Sequence, residues 1–316
     1  MPTRLSALPL LVLATIVIGA AGACDGGESP AAPSDPPPAG TPPPGGMPPP
    51  GGGGGTGNLS LRFHGHGVGD IDRVKLPLTP GRAVNVGQDF TVELWLKATL
   101  AENGSGACQG GGDGWIFGNI VIDRDVFGGG DFGDYGISVA GGRIAFGVAV
   151  GGSGHTICSG AMVADGRWRH VAVTRRAGGE LRIFVDGQPS GQGQGPDGNV
   201  AYREGRGTSF SSSDPFLVIG AEKHDAGGGF PSFSGWVDEL RISTRVRYDA
   251  PFSPRRSPFA PDGSTALLLH FDEGPVGPCR GGVIDAASVA GAPTNGTCRY
   301  GGSAPAGPVY SDDAPF

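Results

Sequence analysis

The sequence is short of charge, of aromatic rings and of long apolar runs. Of its 316 residues only 17 % are charged and 8 % aromatic. The 23 basic side chains are outnumbered by 30 acidic ones, for a net charge of −7. The positive footprint needed to hold a phosphate backbone is therefore missing, and nucleic acid is excluded as a partner. Beyond residue 24 no apolar stretch approaches the roughly 20 residues that a spanning helix requires. No segment shows a capped helical period, and the five cysteines contain no Cys-x-x-Cys spacing of the kind a zinc site uses. What abounds is 62 Gly and 29 Pro, the residues helix interiors tolerate least. An all-α protein is excluded. The 38 % of hydrophobic residues is still enough for a core in a chain of this length.

The N-terminus reads as an export signal. Arg4 precedes an apolar run from Leu8 to Ala20, shorter than a membrane span, and small residues follow it up to Cys24. Ala21-Gly22-Ala23-Cys24 resembles the bacterial lipobox, in which the cysteine is acylated and becomes the mature N-terminus. The resemblance implies residues 1–24 as a lipoprotein signal and Cys24 as the lipidated residue, with ordinary cleavage near Ala23 as the alternative. Residues 25–57 then hold 11 Gly and 11 Pro among 33 and no basic residue. That composition cannot bury a core, so it is expected to be a disordered linker of polyproline pieces and a glycine joint, averaging about 30 Å end to end as a coil. The expected arrangement is a domain tethered to a bacterial envelope membrane through lipid, periplasmic or at the surface.

Setting Cys24 aside leaves Cys108, Cys158, Cys279 and Cys298, an even number in an exported chain, which implies two disulfides. Four thiols allow three pairings. Cys108 with Cys158 and Cys279 with Cys298 is the expected one, each pair lying in a glycine-rich region of its own.

From residue 58 onward the chain breaks into short β-like runs. Phe90, Val92, Leu94 and Leu96 alternate with Thr91, Glu93, Trp95 and Lys97, the two-residue period of a half-buried strand, and Ile144–Val150 repeats it. Runs around Val171–Val173 and Leu181–Val185, joined through Ala177-Gly178-Gly179, read as a hairpin. Further runs at Phe216–Ile219, Trp236–Ile242 and Ala266–Phe271 complete an antiparallel sandwich or barrel, and the lack of βαβ alternation excludes a doubly wound sheet.

Four segments then resemble, in order, the LamG-like domains of the concanavalin A-like jelly rolls: Phe90–Leu96, Arg167–Thr174, Leu181–Gly187 and Ser234–Ile242. The resemblance implies an all-β, concanavalin A-like antiparallel sandwich over residues 58–250; residues 251–316 match it less clearly, and the late run Ala266–Phe271 makes them expected as a disulfide-held extension packed on the sandwich, with a separate small domain as the alternative. It also implies a module that binds glycan or an envelope protein, often with calcium at the rim, and mostly without catalysis.

Candidate site residues follow. Alternation sets Asp238 on the side of Trp236, Leu240 and Ile242, where a carboxylate is costly unless it is paired or bound to a metal. Arg73 is an available partner and calcium the alternative. Asp72 presents the same choice. Asp123, Asp125, Asp131 and Asp134 form an acidic group around a glycine-rich stretch, readable either as a calcium site or as a solvated loop with ion pairs. Trp115, beside Gly114, is free to offer a stacking platform for a sugar ring, and Glu222 and His224 form a polar cluster at a rim. Catalytic signals are missing: no Glu is followed two residues later by Asp, as the retaining glycoside hydrolases of this fold require, and no serine elbow sits at a strand-to-helix turn.

Overall fold

The computed structural model describes residues 57–65, 72–79, 81–126, 134–203, 215–224, 226–227, 229–300, 305 and 307–316. Among these the chain forms strands β1 (Ser60–His64), β2 (Arg73–Pro77), β3 (Phe90–Thr99), β4 (Asn119–Asp123), β5 (Asp134–Ala140), β6 (Arg143–Val150), β7 (Ser153–Met162), β8 (Asp165–Arg175) and β9 (Glu180–Val185). They are followed by β10 (Gln188–Gln194), β11 (Phe216–Ile219), β12 (Ser234–Ser243), β13 (Thr265–Leu269), β14 (Gly277–Pro278), β15 (Gly282–Val283), β16 (Gly296–Arg299) and β17 (Val309–Ser311). The one helical piece described is a single 3-10 turn, Gly114–Phe117. No described helix is long and apolar enough to cross a membrane.

Two antiparallel sheets face each other. The first runs β10-β9-β8-β3-β12-β1-β17-β14, with β13 on β12, and the second runs β15-β16-β2-β11-β4-β5-β6-β7. Alternation builds the layer between them: Phe90, Val92, Leu94 and Leu96 of β3 and Ile144, Phe146 and Val148 of β6 lie in one shared core with Leu61, Phe63, Val237 and Leu240. This is the period-two burial that the sequence carries in β3 and β6. The predicted hairpin is β8–β9, paired from Val171 with Val185 to Arg175 with Leu181.

Residues 251–316 supply strands to both sheets. Strand β13 pairs with β12, β17 with β1 and β16 with β2. Cys279 and Cys298 form one disulfide and Cys108 and Cys158 the other, with Cα–Cα distances of 6.0 Å in each. The second clamps the loop before β4 onto β7.

Candidate functional site

The outer face of the first sheet is the broad surface on which a cleft could lie, and here its polar groups are consumed internally. Glu93 on β3 is fully buried and accepts from Arg241 Nε (2.8 Å) and the Tyr248 hydroxyl (2.7 Å), with His170 Nε2 at 3.3 Å. Burial alone would raise its pKa, yet the bonds to His170, Arg241 and Tyr248 hold the carboxyl low. Phe252 and Phe259 lie edge-on to His170, and Phe316 lies edge-on to Trp95. The chain after β12 thus roofs this face.

Strand β12 also departs from simple alternation. Its pairing with β3 shifts between Asp238 and Arg241, and Glu239 sits at φ 51°, a left-handed conformation uncommon for a non-glycine residue. The extra residue resets the phase. Asp238 stands opposite Trp95, whereas Leu240 and Ile242 join the core between the sheets, so the expectation that the three share a side is corrected. Asp238 Oδ1 accepts the Glu239 N–H at 2.8 Å and Oδ2 has no hydrogen-bond partner. Burial, reinforced by the neighbouring Glu239 charge, pushes the Asp238 carboxyl up to about 9. Among the described residues no arginine pairs with it. Asp72 accepts the backbone N–H groups of His64 (2.9 Å) and Gly307 (2.8 Å), a structural bridge between segments.

The second sheet brings polar groups together. Strand β4 ends at Asp123, beside Val218 of β11 on one side and Gly136 of β5 on the other. Asp123 is fully buried, and its two oxygens accept the backbone N–H groups of Asp125 (2.6 Å) and Lys223 (2.9 Å). One carboxylate therefore ties the exit of β4 to the loop after β11. That loop turns at Gly220, φ 95°, where a Cβ would lie 2.3 Å from the Phe63 ring. Beyond the turn, Glu222 and His224 come back over Asp125.

His224 Nδ1 lies 3.0 Å from Glu222 Oε1 and 3.6 Å from Asp125 Oδ2. Each of the three offers one ligand atom, and all of these atoms fall within 4.8 Å of one another. The second Glu222 oxygen accepts the His224 N–H at 2.5 Å, which fixes the carboxylate plane. Asp134, the first residue of β5, lies close enough for its charge to act on Asp125, and its Oδ1 is sealed from solvent with no hydrogen-bond partner.

Asp113 belongs to the same neighbourhood. Its loop is laced to β7 by Gly111 N–H to Thr156 O (2.8 Å) and Trp115 N–H to Thr156 Oγ1 (3.2 Å), and a Cβ on Gly154 would lie 2.0 Å from Asp113 Oδ1. In the sequence only Gly111-Gly112-Asp113-Gly114, a carboxylate on a tight glycine loop, signals it.

The electrostatics reflect crowding of like charges. Burial raises Asp123 to about 7, helped by Asp125 and Glu222 and opposed by Lys223. Asp134 is raised well above the usual range by burial and by the Asp125 charge, while Asp125, despite its burial, is held low by His224 and Lys223. The two neighbouring carboxyl groups are thus pushed apart, Asp134 upward and Asp125 downward. Burial and the Asp125 charge also raise Asp113.

The structure therefore joins two groups that the sequence lists separately: Asp125 from the acidic group, and Glu222 with His224. Asp123 and Asp134 support them from below and beside, and Asp131 lies outside the described residues, as does Cys24. Trp115 is corrected. It is 1 % exposed, seated on Gly136 and Gly147, where added Cβ atoms would lie 2.0 Å from the indole. It is a buried packing residue, with no face left for a sugar. The exposed ring nearby is Phe117, 59 % exposed and stacked on Phe230 with centroids 6.4 Å apart.

The calcium implied by the family resemblance meets this donor set poorly. Calcium takes about six to eight oxygen ligands. Among the described residues the converging side-chain atoms are two carboxylate oxygens and an imidazole nitrogen, and both Asp123 oxygens are already engaged by backbone N–H groups.

A family model described as the concanavalin A-like lectin/glucanases superfamily matches residues 69–250. Among solved structures, a native heptameric SAP-like pentraxin from Limulus polyphemus is similar at 17 % identity and TM-score 0.41, over 60 % of this chain and 78 % of its own. A protein from Bacteroides ovatus ATCC 8483 assigned to carbohydrate binding is similar at 18 % identity and TM-score 0.47, over 76 % of this chain and 58 % of its own. Domains LG4-5 of the mouse laminin α1 chain are similar at 16 % identity and TM-score 0.40, over 62 % of this chain and 45 % of theirs. This chain, with its two facing antiparallel sheets, belongs to the concanavalin A-like lectin/glucanases superfamily.

Proposed function

We propose that this chain is a non-catalytic binding module of the bacterial cell envelope, moored through an acylated Cys24 and displayed on the Pro/Gly linker, and that it holds a glycan at a cell surface. The observation that carries the non-catalytic part is the state of the first sheet's outer face. Glycoside cleavage needs two carboxyl groups open to the sugar on opposite sides of the scissile bond. Glu93, Asp238 and Glu239 are each fully buried. Glu93 is bonded to Arg241 and Tyr248, and Glu239 to the Phe259 N–H (2.6 Å) and to His270 Nδ1 (2.6 Å). No substrate reaches them beneath the Phe252–Phe259 roof.

Binding is then left to the second sheet's rim, where the Asp125 side chain of the Asp125–Glu222–His224 group reaches solvent. A divalent cation there would neutralise the crowded carboxylates and stiffen the loop after β11. A second reading, a protein-interaction module, is favoured by exposed apolar side chains: Phe117 at 59 %, Leu100 at 48 % and Met162 at 39 %.

The test is a glycan array probed with the full-length chain in the presence of divalent cations, alongside assays for release of reducing ends. Selective array binding without turnover is the expected result. Turnover of any polysaccharide overturns the non-catalytic reading. A silent array, with one stoichiometric protein captured by mild cross-linking at the membrane, favours the second.

A further inference from the structure

We infer that Asp125, Glu222 and His224 form a binding site for a divalent transition-metal ion of the zinc class, held by the imidazole Nδ1 and two carboxylate oxygens. This rests on reading the cluster as a cation site, and it departs from the calcium that the family resemblance implies.

Spacing is the first argument. A four-coordinate ion with bonds of about 2.0–2.2 Å places its ligand atoms roughly 3.3–3.6 Å apart. Nδ1 of His224 stands 3.0 Å from Glu222 Oε1 and 3.6 Å from Asp125 Oδ2, so little movement separates the cluster from a coordination shell.

The donor types make the second argument. Imidazole with carboxylate suits zinc and its first-row neighbours, whereas a hard cation gains little from a ring nitrogen.

The surroundings are those of a prepared site. The second oxygen of Glu222 accepts the His224 N–H, and Asp123 holds the backbone at Asp125 and Lys223. Such outer partners orient metal ligands. Access is one-sided: the Asp125 side chain is 17 % exposed against 1 % for Glu222 and 2 % for His224. With three protein ligands, a fourth position on the Asp125 side is left to water or to an oxygen of a bound molecule.

The experiment strips the full-length chain with chelator and titrates it separately with zinc chloride and calcium chloride, followed by calorimetry and thermal melting. Cobalt(II) is added to a third sample and its visible absorption recorded. Zinc is expected to bind at one ion per chain and raise the melting midpoint, while calcium at equal concentration does neither. Cobalt is expected to give the intense bands of low coordination with a nitrogen ligand. His224→Asn, which keeps an oxygen donor, is expected to weaken zinc by about 100-fold or more and to abolish the cobalt spectrum. Glu222→Gln should weaken zinc as well, and the wild-type cobalt spectrum stands whether or not the variants fold. Calcium binding that His224→Asn leaves unchanged overturns the metal class while the cation site survives. Failure of every cation to bind removes both.

Discussion

Asp123 and Lys223 are 100 residues apart in sequence, and the Asp123 carboxylate accepts the Lys223 N–H at 2.9 Å inside the protein. With the Asp125 N–H on the other oxygen, this bond sets where the loop after β11 returns to the end of β4. Replacing Asp123 by Ala leaves two donors without acceptors and is expected to cost about 2–4 kcal/mol. Urea denaturation of the two chains measures the difference. A loss within a few tenths would mean that the loop holds itself.

Trp115 tests packing on the second sheet. Gly136 and Gly147 face each other in the β5–β6 register, and together they form the flat seat of the indole. Gly147→Ala puts a methyl 2.0 Å from the ring and is expected to destabilise by about 3 kcal/mol or more through overpacking. Trp115→Ala should cost about 3–5 kcal/mol through the cavity it opens. If Gly147→Ala melts with the wild type, the indole is not seated there.

Asp238 makes stability depend on pH in a specific direction. Its folded carboxyl titrates at about 9, above its unfolded value, so between roughly pH 4 and pH 9 the folded state holds a proton that the unfolded chain has released. The contribution is therefore largest below pH 4 and is lost as pH rises, by up to about 1.4 kcal/mol per unit. Asp238→Asn keeps an acceptor for the Glu239 N–H and removes the titration. The variant is expected to gain on the wild type steadily from pH 5 to pH 8 in denaturation curves. A gap that stays constant with pH would mean that the carboxyl ionises normally.

The two disulfides should differ in what they hold. Cys108–Cys158 closes 50 residues and Cys279–Cys298 closes 19. The chain-entropy model assigns them about 4 and about 3 kcal/mol. Paired Cys→Ser replacements, each followed by chemical denaturation, measure these. Loss of the first pair should also loosen the Asp113 loop, read as faster amide exchange at Gly111 and Trp115, whose N–H groups bond to Thr156.

Much of the fold lies open in the alternation of single strands. The period-two runs of β3 and β6 carry their burial whatever they pair with, because successive side chains leave a strand on opposite faces. The acidic group is partly legible in the same way: Asp123 and Asp125 are two apart, and Asp134 opens the next strand. What escapes is whatever depends on pairing across sequence. Alternation through Trp236–Ile242 puts Asp238 with Leu240, and only the partner strand β3 reveals the extra residue at Glu239 that separates them. Trp115 beside a glycine looks free, and its burial is decided by two glycines on strands that begin 19 and 28 residues later, at Asp134 and Arg143.

The sequence by itself determined the sheet class, the inward faces of most strands and an even set of thiols, because periodicity and composition are local properties of a chain. Tertiary structure alone decided which acids meet a histidine, which carboxyls are roofed by aromatic rings and which tryptophan is hidden. Distances of a few ångströms between residues a hundred positions apart are set by strand order and register, and these are collective properties of the packed sheets.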